Sequence, residues 1–422
     1  MFNTIIGAVA TIVVVTLILV ALLLVVKARL TPSGSVSIDI NGGKKNLEVP
    51  LGGDLMHTLA DQGIFLPSAC GGKANCGQCK VQVLEGGGSI LPTEKGFFNR
   101  KQIKDGFRLG CQVKIKDNIK IQVPDSTLSV KKLECEVISN DNVATFIKEF
   151  TVKLPEGENI EFKSGEYIQI DIPEYDIDFA DIDVAPEYRG DWEKYGFFGI
   201  KHKNTVPTVR AYSMASYPAE KNVIKLNVRI ATPPFDRSQP RGVFKMLPVP
   251  PGVASSYVFT RKPGDKVWIS GPFGEFLLPK DDPVEQEYIF VGGGAGMAPL
   301  RSHIMHLFKT LKTGRKVSFF YGARALVEAF YLEDFAEIER EFPNFKFYLA
   351  LDRPDPAADA AGVKYTPGFV HNVMYETYLK DHETPEDIKY FMCGPPMMVA
   401  SVNTLLDSLG VQPESILYDN FS

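Results

Sequence analysis

Four closely spaced cysteines constrain the fold of this chain more than any other feature. Cys70, Cys76 and Cys79 form a C-x5-C-x2-C pattern, and Cys111 follows in the stretch RLGCQ. The glycines of the first loop let its backbone wrap tightly and direct amide groups at the sulfur atoms. Four thiolates from one loop and one more distant segment can enclose a [2Fe–2S] cluster. We therefore predict that these four cysteines are metal ligands.

Structural zinc is the alternative for the same cysteines, because three or four thiolates also make a tetrahedral zinc site. Zinc ribbons usually carry two C-x2-C pairs, and only Cys76 and Cys79 form one here. The loop and RLGCQ resemble the [2Fe–2S] ferredoxin domains, with a spacing closer to the adrenodoxin-like pattern than to the plant type. The resemblance implies a β-grasp-like ferredoxin domain at residues 34–126. Strand-like runs are predicted there at 80–84, 111–115 and 119–123.

The N-terminus is uncharged from Phe2 to Val26 and consists mostly of Ile, Val, Leu, Ala and Thr. A helix of this length crosses the ~30 Å hydrocarbon core of a bilayer. A buried core helix is the alternative, but such helices rarely run this long without a polar face. The first charges, Lys27 and Arg29, follow the apolar run, whereas a cleavable signal peptide carries them before it. We predict a transmembrane anchor at residues 1–30, with the rest of the chain on the cytoplasmic side.

The remaining composition and patterning indicate a multidomain chain of mixed α+β and α/β class. A length of 422 residues favours two or three domains, and a formal net charge of −5 offers no basic field for nucleic acid, which we set aside. Short strands between Gly and Pro residues indicate an antiparallel β-barrel at 128–275. Its acidic insertion at 174–194 either docks a partner or is a solvated loop. Alternating strands and helices at 285–422 predict a doubly wound parallel sheet.

A second motif, RAYS at 210–213, lies on a predicted strand of the barrel. Arg210 and Tyr212 share one face of a strand, and an Arg on a half-exposed strand is otherwise a solvated surface residue. The motif resembles RxYS of the ferredoxin-NADP reductase family, which implies FAD binding. The resemblance puts Arg210 on the pyrophosphate, Tyr212 on the isoalloxazine or ribityl chain, and Ser213 at flavin N5. Gly252 and Ser255 resemble the GxxS segment of the family, which meets the same pyrophosphate.

Two further turns resemble the nicotinamide site of that reductase family. VGGGAGMAP at 291–299 follows a strand and opens a helix, where a dinucleotide phosphate can approach the backbone. It resembles the GGGxGxxP signature, and CGPPMM at 393–398 resembles CGPPxM, whose cysteine lies beside the reacting nicotinamide carbon. The alternative for that cysteine is a small core residue. The residues that the resemblance assigns to NADH are Gly292, Gly293, Gly294, Gly296, Cys393, Gly394 and Pro395.

The chain ends in YDNFS, and the resemblance implies that Phe421 covers the flavin until nicotinamide displaces it. A disordered tail is the alternative. Ser213, Cys393 and Phe421 are thus the implied catalytic residues. The stretch YGAR at 321–324 lacks the Ser-Arg pair of many NADP-specific relatives, but Arg324 leaves the choice between NADH and NADPH open.

The order of anchor, ferredoxin domain, barrel and nucleotide domain resembles the NADH-oxidising subunits of bacterial sodium-translocating NADH:quinone reductases. The resemblance implies a single-pass protein of the bacterial inner membrane, with NADH as substrate and other subunits of a respiratory complex as partners. It implies a hydride from NADH to FAD, then single electrons through [2Fe–2S] to membrane redox subunits and ubiquinone. The predicted span has no ionisable side chain, so sodium would cross in those partners. The reductase component of a multicomponent oxygenase and a membrane-tethered zinc scaffold are the alternatives.

Overall fold

The computed structural model describes residues 2–30, 34–240 and 242–419, apart from the side chains at 2–5, 8–10 and 24–30. The first element is α1 (Phe2–Leu30), in the segment predicted as a membrane anchor, and its side chains from Thr11 to Leu23 are exposed. No helix among these described residues is long and apolar enough to cross a bilayer. Phe421, which is predicted to cover the flavin, lies outside the described ranges.

Contacts divide the chain into two compact units, residues 1–68 with 72–129, and residues 69–71 with 130–422. The first unit contains a five-stranded sheet in the order β2-β1-β5-β3-β4, in which only β1 and β5 run parallel. Its elements in chain order are β1 (Ser35–Ile40), β2 (Lys45–Pro50), α2 (Leu55–Asp61), β3 (Lys80–Glu85), α3 (Arg100–Lys104), β4 (Phe107–Leu109), β5 (Ile119–Gln122) and α4 (Asp125–Leu128).

Alternating apolar residues place the core of this unit on one face of the sheet. Ile38 and Ile40 on β1 and Ile119 and Ile121 on β5 are fully buried, and Leu59 on α2 is buried in the same core. The period of two along each strand explains why their neighbours face outward.

The strands predicted at 80–84 and 119–123 are confirmed as β3 and β5, but the strand predicted at 111–115 is wrong. The backbone amides of Gln112 and Val113 both return to the carbonyl of Leu109, at 2.8 and 3.2 Å, and form a turn. Only Lys114 makes an isolated bridge, to Asp54. A turn at this point brings the Cys111 side chain into the core instead of extending a ladder.

The second unit begins with an antiparallel six-stranded sheet in the order β11-β8-β13-β6-β7-β12. A bridge between Met214, directly after the first of these strands, and Leu226, within the last, closes the sheet into the predicted barrel. The elements of this region in chain order are β6 (Lys131–Ala144), β7 (Ile147–Lys153), β8 (Tyr167–Ile172), β9 (Tyr175–Asp178), α5 (Pro186–Lys194), β10 (Lys201–Asn204), β11 (Thr208–Ser213), β12 (Val223–Arg229), α6 (Val253–Phe259) and β13 (Lys266–Phe273).

The acidic insertion has an aromatic core of its own. Trp192 on α5 is fully buried, packs edge-on against Phe197 at 5.8 Å, and donates a 2.7 Å hydrogen bond from Nε1 to the carbonyl of Thr145. The acidic side chains lie on its outside, where Asp178 pairs with Lys201 at 2.9 Å. Burial of the large indole ties the insertion to the barrel.

The chain ends in a six-stranded parallel sheet in the order β17-β16-β15-β14-β18-β19, as predicted. Its elements in chain order are β14 (Tyr288–Gly293), α7 (Met297–Met305), β15 (Val317–Ala323), α8 (Leu332–Glu341), β16 (Phe345–Leu351), α9 (Pro356–Ala360), β17 (Thr366–Pro367), α10 (Val370–Thr377), β18 (Lys389–Cys393), α11 (Pro396–Ser408) and β19 (Ile416–Tyr418). The strand order reverses between β14 and β18, and open α/β sheets bind their ligands at such a switch point.

Candidate functional site

The two glycine turns predicted to bind nicotinamide meet at this switch point. Gly292 at the end of β14 pairs with Cys393 at the end of β18. A Cβ added to Gly296 would lie 2.1 Å from the carbonyl oxygen of Cys393, and one added to Gly394 would lie 3.1 Å from the amide nitrogen of Gly293. A side chain at Gly296 or Gly394 would therefore force the turns apart, because the two backbones are in direct contact.

A hydrogen bond from the neighbouring strand β15 also fixes the first turn, at residues 292–296. Gly294 has φ +57°, and its carbonyl accepts a 3.1 Å hydrogen bond from the hydroxyl of buried Tyr321 on β15. The turn leads directly into α7, a helix of nine residues. A helix N-terminus presents unpaired N–H groups and the positive end of its dipole, which suit a phosphate. Pro395, at the start of the second turn's helix, is exposed.

An acidic residue that the sequence did not single out joins this edge to the barrel. Asp419 follows β19, and its Oδ2 accepts a 2.5 Å hydrogen bond from the hydroxyl of Ser213, at the end of β11. Its carbonyl oxygen lies 3.6 Å from the sulfur of Cys393. Two of the three predicted catalytic residues thus contact one carboxyl-bearing residue. No local motif marks Asp419, because its neighbours in space come from distant strands.

Burial determines the protonation states of Asp419 and Cys393. Removal from water raises the pKa of the Asp419 carboxyl, although the hydrogen bond from Ser213 acts in the opposite direction. Burial, reinforced by the charge of Asp419, raises the pKa of the Cys393 thiol well above its ordinary value. Cys393 is fully buried and therefore remains a neutral thiol at neutral pH.

The predicted flavin residues lie on the barrel side of this edge. Arg210 and Tyr212 are on β11, and the Nη1 of Arg210 donates at 2.7 Å to the hydroxyl of Thr208. Burial raises the pKa of Tyr212, so its phenol stays protonated. Gly252 immediately precedes α6, and the hydroxyl of Ser255 donates to its carbonyl at 3.2 Å. These residues form two groups, one on β11 and one at α6.

The cysteine loop is tightly packed in the ferredoxin-like unit. Cys79 and Cys111 are buried with their side chains in hydrogen-bonding contact, and that contact is the first cause of the raised pKa of Cys79. Gly77 has φ +67°, and a Cβ there would lie 2.3 Å from the ring of Phe97. Within the described residues, no group of three or more His, Cys, Asp or Glu side chains is close enough to hold a single metal ion.

The remaining two predicted ligands are Cys76, which is half-buried, and Cys70, which is buried in the segment 69–71. Glycines with positive φ at 71 and 72 follow Cys70 directly. The glycines give the loop the conformational freedom to wrap around a ligand, and its four thiols are a donor set that fits a [2Fe–2S] cluster.

Both terminal lobes match known protein families. Residues 38–116 match the 2Fe-2S iron-sulfur cluster binding domain, and residues 290–404 match the oxidoreductase NAD-binding domain. The fold is similar to the cytochrome P450 reductase GcoB of Amycolatopsis, with a TM-score of 0.59 and 23% identity over 92% of this chain and 98% of that one. It is also similar to the ferredoxin reductase of carbazole 1,9a-dioxygenase, with a TM-score of 0.56 and 20% identity over 93% and 99% of the two chains.

Fold and site together define the class: the protein is an oxidoreductase with a [2Fe–2S] domain and a ferredoxin-reductase-like module for FAD and NADH. The F subunit of the Na(+)-translocating NADH-quinone reductase of Psychrobacter cryohalolentis is 51% identical over 421 residues, which cover 100% of this chain and 99% of the relative. The corresponding F subunit of Pseudomonas aeruginosa is 51% identical over 403 residues, 96% and 95% of the two chains. The chain belongs to the family of these F subunits, and this membership favours the respiratory reductase over the oxygenase alternative.

Proposed function

We propose that the chain is the NADH-oxidising subunit of a bacterial sodium-translocating NADH:quinone reductase. When bound, FAD would supply the chemistry that accepts a hydride from NADH and passes single electrons on, by way of a [2Fe–2S] cluster, to redox subunits in the membrane. The observation that carries the proposal is the contact of Ser213 and Cys393 with Asp419 at the switch point of the nucleotide sheet. Two catalytic positions implied by the reductase family, far apart in sequence, meet where that family places nicotinamide against flavin.

On the nucleotide side, the residues of this chain bind and orient NADH. The glycines at 292–296 leave the backbone open to a dinucleotide and lead to the N-terminus of α7, which suits its pyrophosphate. Gly394 and Pro395 form the second wall, and the neutral thiol of Cys393 lies at the nicotinamide end. We assign the hydride step to orientation by these groups, since hydride transfer needs no acid–base triad.

On the flavin side, Ser213 holds a proton at the edge of the isoalloxazine, where the reductase family places N5. Burial favours the protonated form of the Asp419 carboxyl, which can donate to the Ser213 oxygen and so leave the hydroxyl proton for N5. Arg210 and Tyr212 share one face of β11, so we assign them to the pyrophosphate and the ring system. We assign Gly252 and Ser255 to the same pyrophosphate, and the family resemblance assigns Phe421 to the ring, where nicotinamide would displace it.

We assign cluster ligation to Cys70, Cys76, Cys79 and Cys111. Support comes from the cysteine spacing and from the match of residues 38–116 to the cluster-binding family. The contact between the Cys79 and Cys111 side chains agrees with a shared ligand. The third alternative, a zinc scaffold, has no corresponding support from these comparisons.

We further propose that the uncharged segment from Phe2 to Val26 anchors the chain in the inner membrane as a single pass. Lys27 and Arg29 follow it, and the excess of basic residues on that side favours a cytoplasmic location for both compact units. The partners are the other membrane subunits of the complex. A chain lacking residues 1–33 should be recovered in the soluble fraction, whereas the full chain should resist carbonate extraction. Equal recovery of both chains in the membrane would contradict the anchor.

The test of the function uses the full chain purified in mild detergent. Addition of NADH should bleach the flavin absorbance and produce the low-temperature EPR signal of one reduced [2Fe–2S] centre. Cys111→Ser should remove the EPR signal but leave flavin bleaching intact, whereas Cys135→Ser, a buried cysteine outside the loop, should keep both. Absence of a reducible iron centre in the unmodified protein would overturn the electron relay. Co-purification with a diiron hydroxylase, in place of multi-span redox subunits, would overturn the assignment to the pump.

A further inference from the structure

Three consecutive residues of α7 bind the barrel through buried hydrogen bonds. Arg301, Ser302 and His303 are 4%, 0% and 0% exposed, respectively. Each directs a polar side-chain atom at a different point of the barrel. The nucleotide-binding helix is therefore attached to the barrel by side chains with no access to bulk water.

Arg301 makes the largest number of these contacts. Its Nη1 donates to the carbonyl of Ala215 at 2.8 Å, and the guanidinium pairs with Glu220 at 3.2 Å and with Asp334 at 2.9 Å. The same guanidinium lies over the ring of Tyr331, 4.8 Å from the centroid. A planar guanidinium with several fixed partners has little freedom to move, because each displacement breaks a charge-assisted hydrogen bond.

The other two contacts extend the attachment. The hydroxyl of Ser302 donates to the carbonyl of Ser216 at 2.8 Å, and Nδ1 of His303 lies 3.0 Å from the hydroxyl of Ser164. Burial lowers the pKa of His303 to about 3, so the ring is neutral near neutral pH. The contact between His303 and Ser164 is consequently one between neutral groups in this pH range.

The location of these contacts connects the two halves of the site. Ala215 and Ser216 continue the strand that ends at Ser213, and Arg301 lies on the helix that begins just after the turn ending at Gly296. The hydroxyl of Ser213 and the turn ending at Gly296 are therefore connected through a few backbone bonds and the buried side chain of Arg301.

We propose that Arg301 and Ser302 are positioning residues for hydride transfer, because they set the separation between the nucleotide turn and the end of β11. The inference rests on the proposed NADH-to-FAD function and adds residues that touch neither ligand. A misplacement of about 1 Å far from the chemistry can cost about 10²-fold in rate, so loosening this attachment should slow transfer while leaving the contacts to NADH in place.

The experiment measures reduction of the flavin by NADH in a stopped-flow instrument, with the full-length protein loaded with FAD and cluster. Arg301→Met keeps an unbranched apolar stem but removes the guanidinium that donates to Ala215. We expect the limiting rate to fall about 10- to 100-fold, with the half-saturating NADH concentration changed less than twofold and a larger primary isotope effect with 4-deuterated NADH. Arg340 forms an exposed ion pair with Glu333 on α8, and Arg340→Met is the matched control. It should leave the limiting rate, the half-saturating NADH concentration and the isotope effect unchanged.

A double variant separates positioning from stability. Arg301→Met leaves the carboxylates of Glu220 and Asp334 without their guanidinium partner, and adding Glu220→Gln removes the more buried of the two charges. The thermal midpoint should recover in part in the double variant while the rate stays low, since Ala215 still lacks its donor. Recovery of the limiting rate together with the thermal midpoint in the double variant would overturn the proposal. A higher half-saturating NADH concentration at an unchanged limiting rate in Arg301→Met would also overturn it.

Ser302→Ala provides a milder variant if Arg301→Met loses its flavin. It removes one hydrogen bond and no charge, and we expect a 3- to 10-fold lower limiting rate with full flavin content. An unchanged rate in Ser302→Ala would contradict the role assigned to this residue. Failure of the proposed function itself would be seen separately, as an absence of flavin reduction by NADH in the unmodified protein.

Discussion

The hydroxyl of Ser213 donates a 2.5 Å hydrogen bond to the carboxylate of Asp419, 206 residues further along the chain. The backbone of Asp419 is itself held, because its amide donates to the carbonyl of Met392 on β18 at 3.1 Å. The strand that carries Cys393 therefore delivers the carboxylate to the end of β11. This contact gives the most direct predictions about the chemistry of the site.

Ser213→Ala should lower the rate of NADH oxidation with ferricyanide as acceptor about 10²-fold, since removing one well-placed hydrogen-bond donor costs that much in rate. The substitution removes the hydroxyl and changes the side-chain volume little. Ser408→Ala, at an exposed position near the end of α11, is the matched control and should have full activity. An active Ser213→Ala protein would show that the hydroxyl does not act on the flavin.

Asp419→Asn should change the dependence of stability on pH. Burial raises the pKa of the carboxyl above its ordinary 3.8, so the folded protein binds more protons than the unfolded chain at this group. Its contribution to stability is fully present below pH 3.8 and is lost as pH rises through the folded-state pKa. The thermal midpoint of Asp419→Asn minus that of the unmodified protein should therefore increase from pH 4 upward. A difference that falls with pH would contradict the raised pKa.

Gly296→Ala should abolish most NADH oxidation while retaining flavin. Its Cβ would lie 2.1 Å from the Cys393 carbonyl oxygen, so the two nucleotide-binding turns must separate. Gly314→Ala, whose nearest neighbour would be 3.6 Å away, is the matched control in the same lobe and should behave normally. Titration of NADH binding and the flavin absorbance spectrum would measure both effects. Tight NADH binding by Gly296→Ala would show that the turns tolerate separation.

Glu94→Gln should destabilise the ferredoxin unit by about 3–5 kcal/mol, as expected when one partner of a buried ion pair is removed. Glu94 is fully buried, pairs with Arg108 at 2.8 Å, and accepts from the amide of Leu109 at 2.9 Å, two residues before Cys111. Loss of cluster absorbance in a urea titration would measure the destabilisation around the cluster.

Glu85→Gln is the control for that titration, because the pair of Glu85 with Lys120 is exposed and salt-screened. Its urea midpoint should remain close to that of the unmodified protein. Equal midpoints for both variants would mean that the buried pair contributes no more than the surface pair.

Several features of the fold followed directly from sequence patterns. Alternating strands and helices predicted the parallel sheet, and the glycines after β14 predicted its dinucleotide turn, since both depend on local backbone geometry. The strand predicted at 111–115 was wrong, because an alternating pattern does not reveal that the carbonyl of Leu109 accepts from the amides of Gln112 and Val113. The acidic insertion gave no sign that Trp192 would be buried at its centre, because burial depends on what packs against a residue.

By itself, the sequence determined the chemistry available at each turn: the cysteine spacing, the open glycine backbones and the order of the lobes. These are properties of neighbouring residues, and spacing along the chain is sufficient to define them. Only the tertiary structure decided that Asp419 meets Ser213 and that Arg301 reaches Ala215. Those contacts depend on which strands are adjacent and how the barrel packs on α7, and many distant residues set both through their combined packing energy.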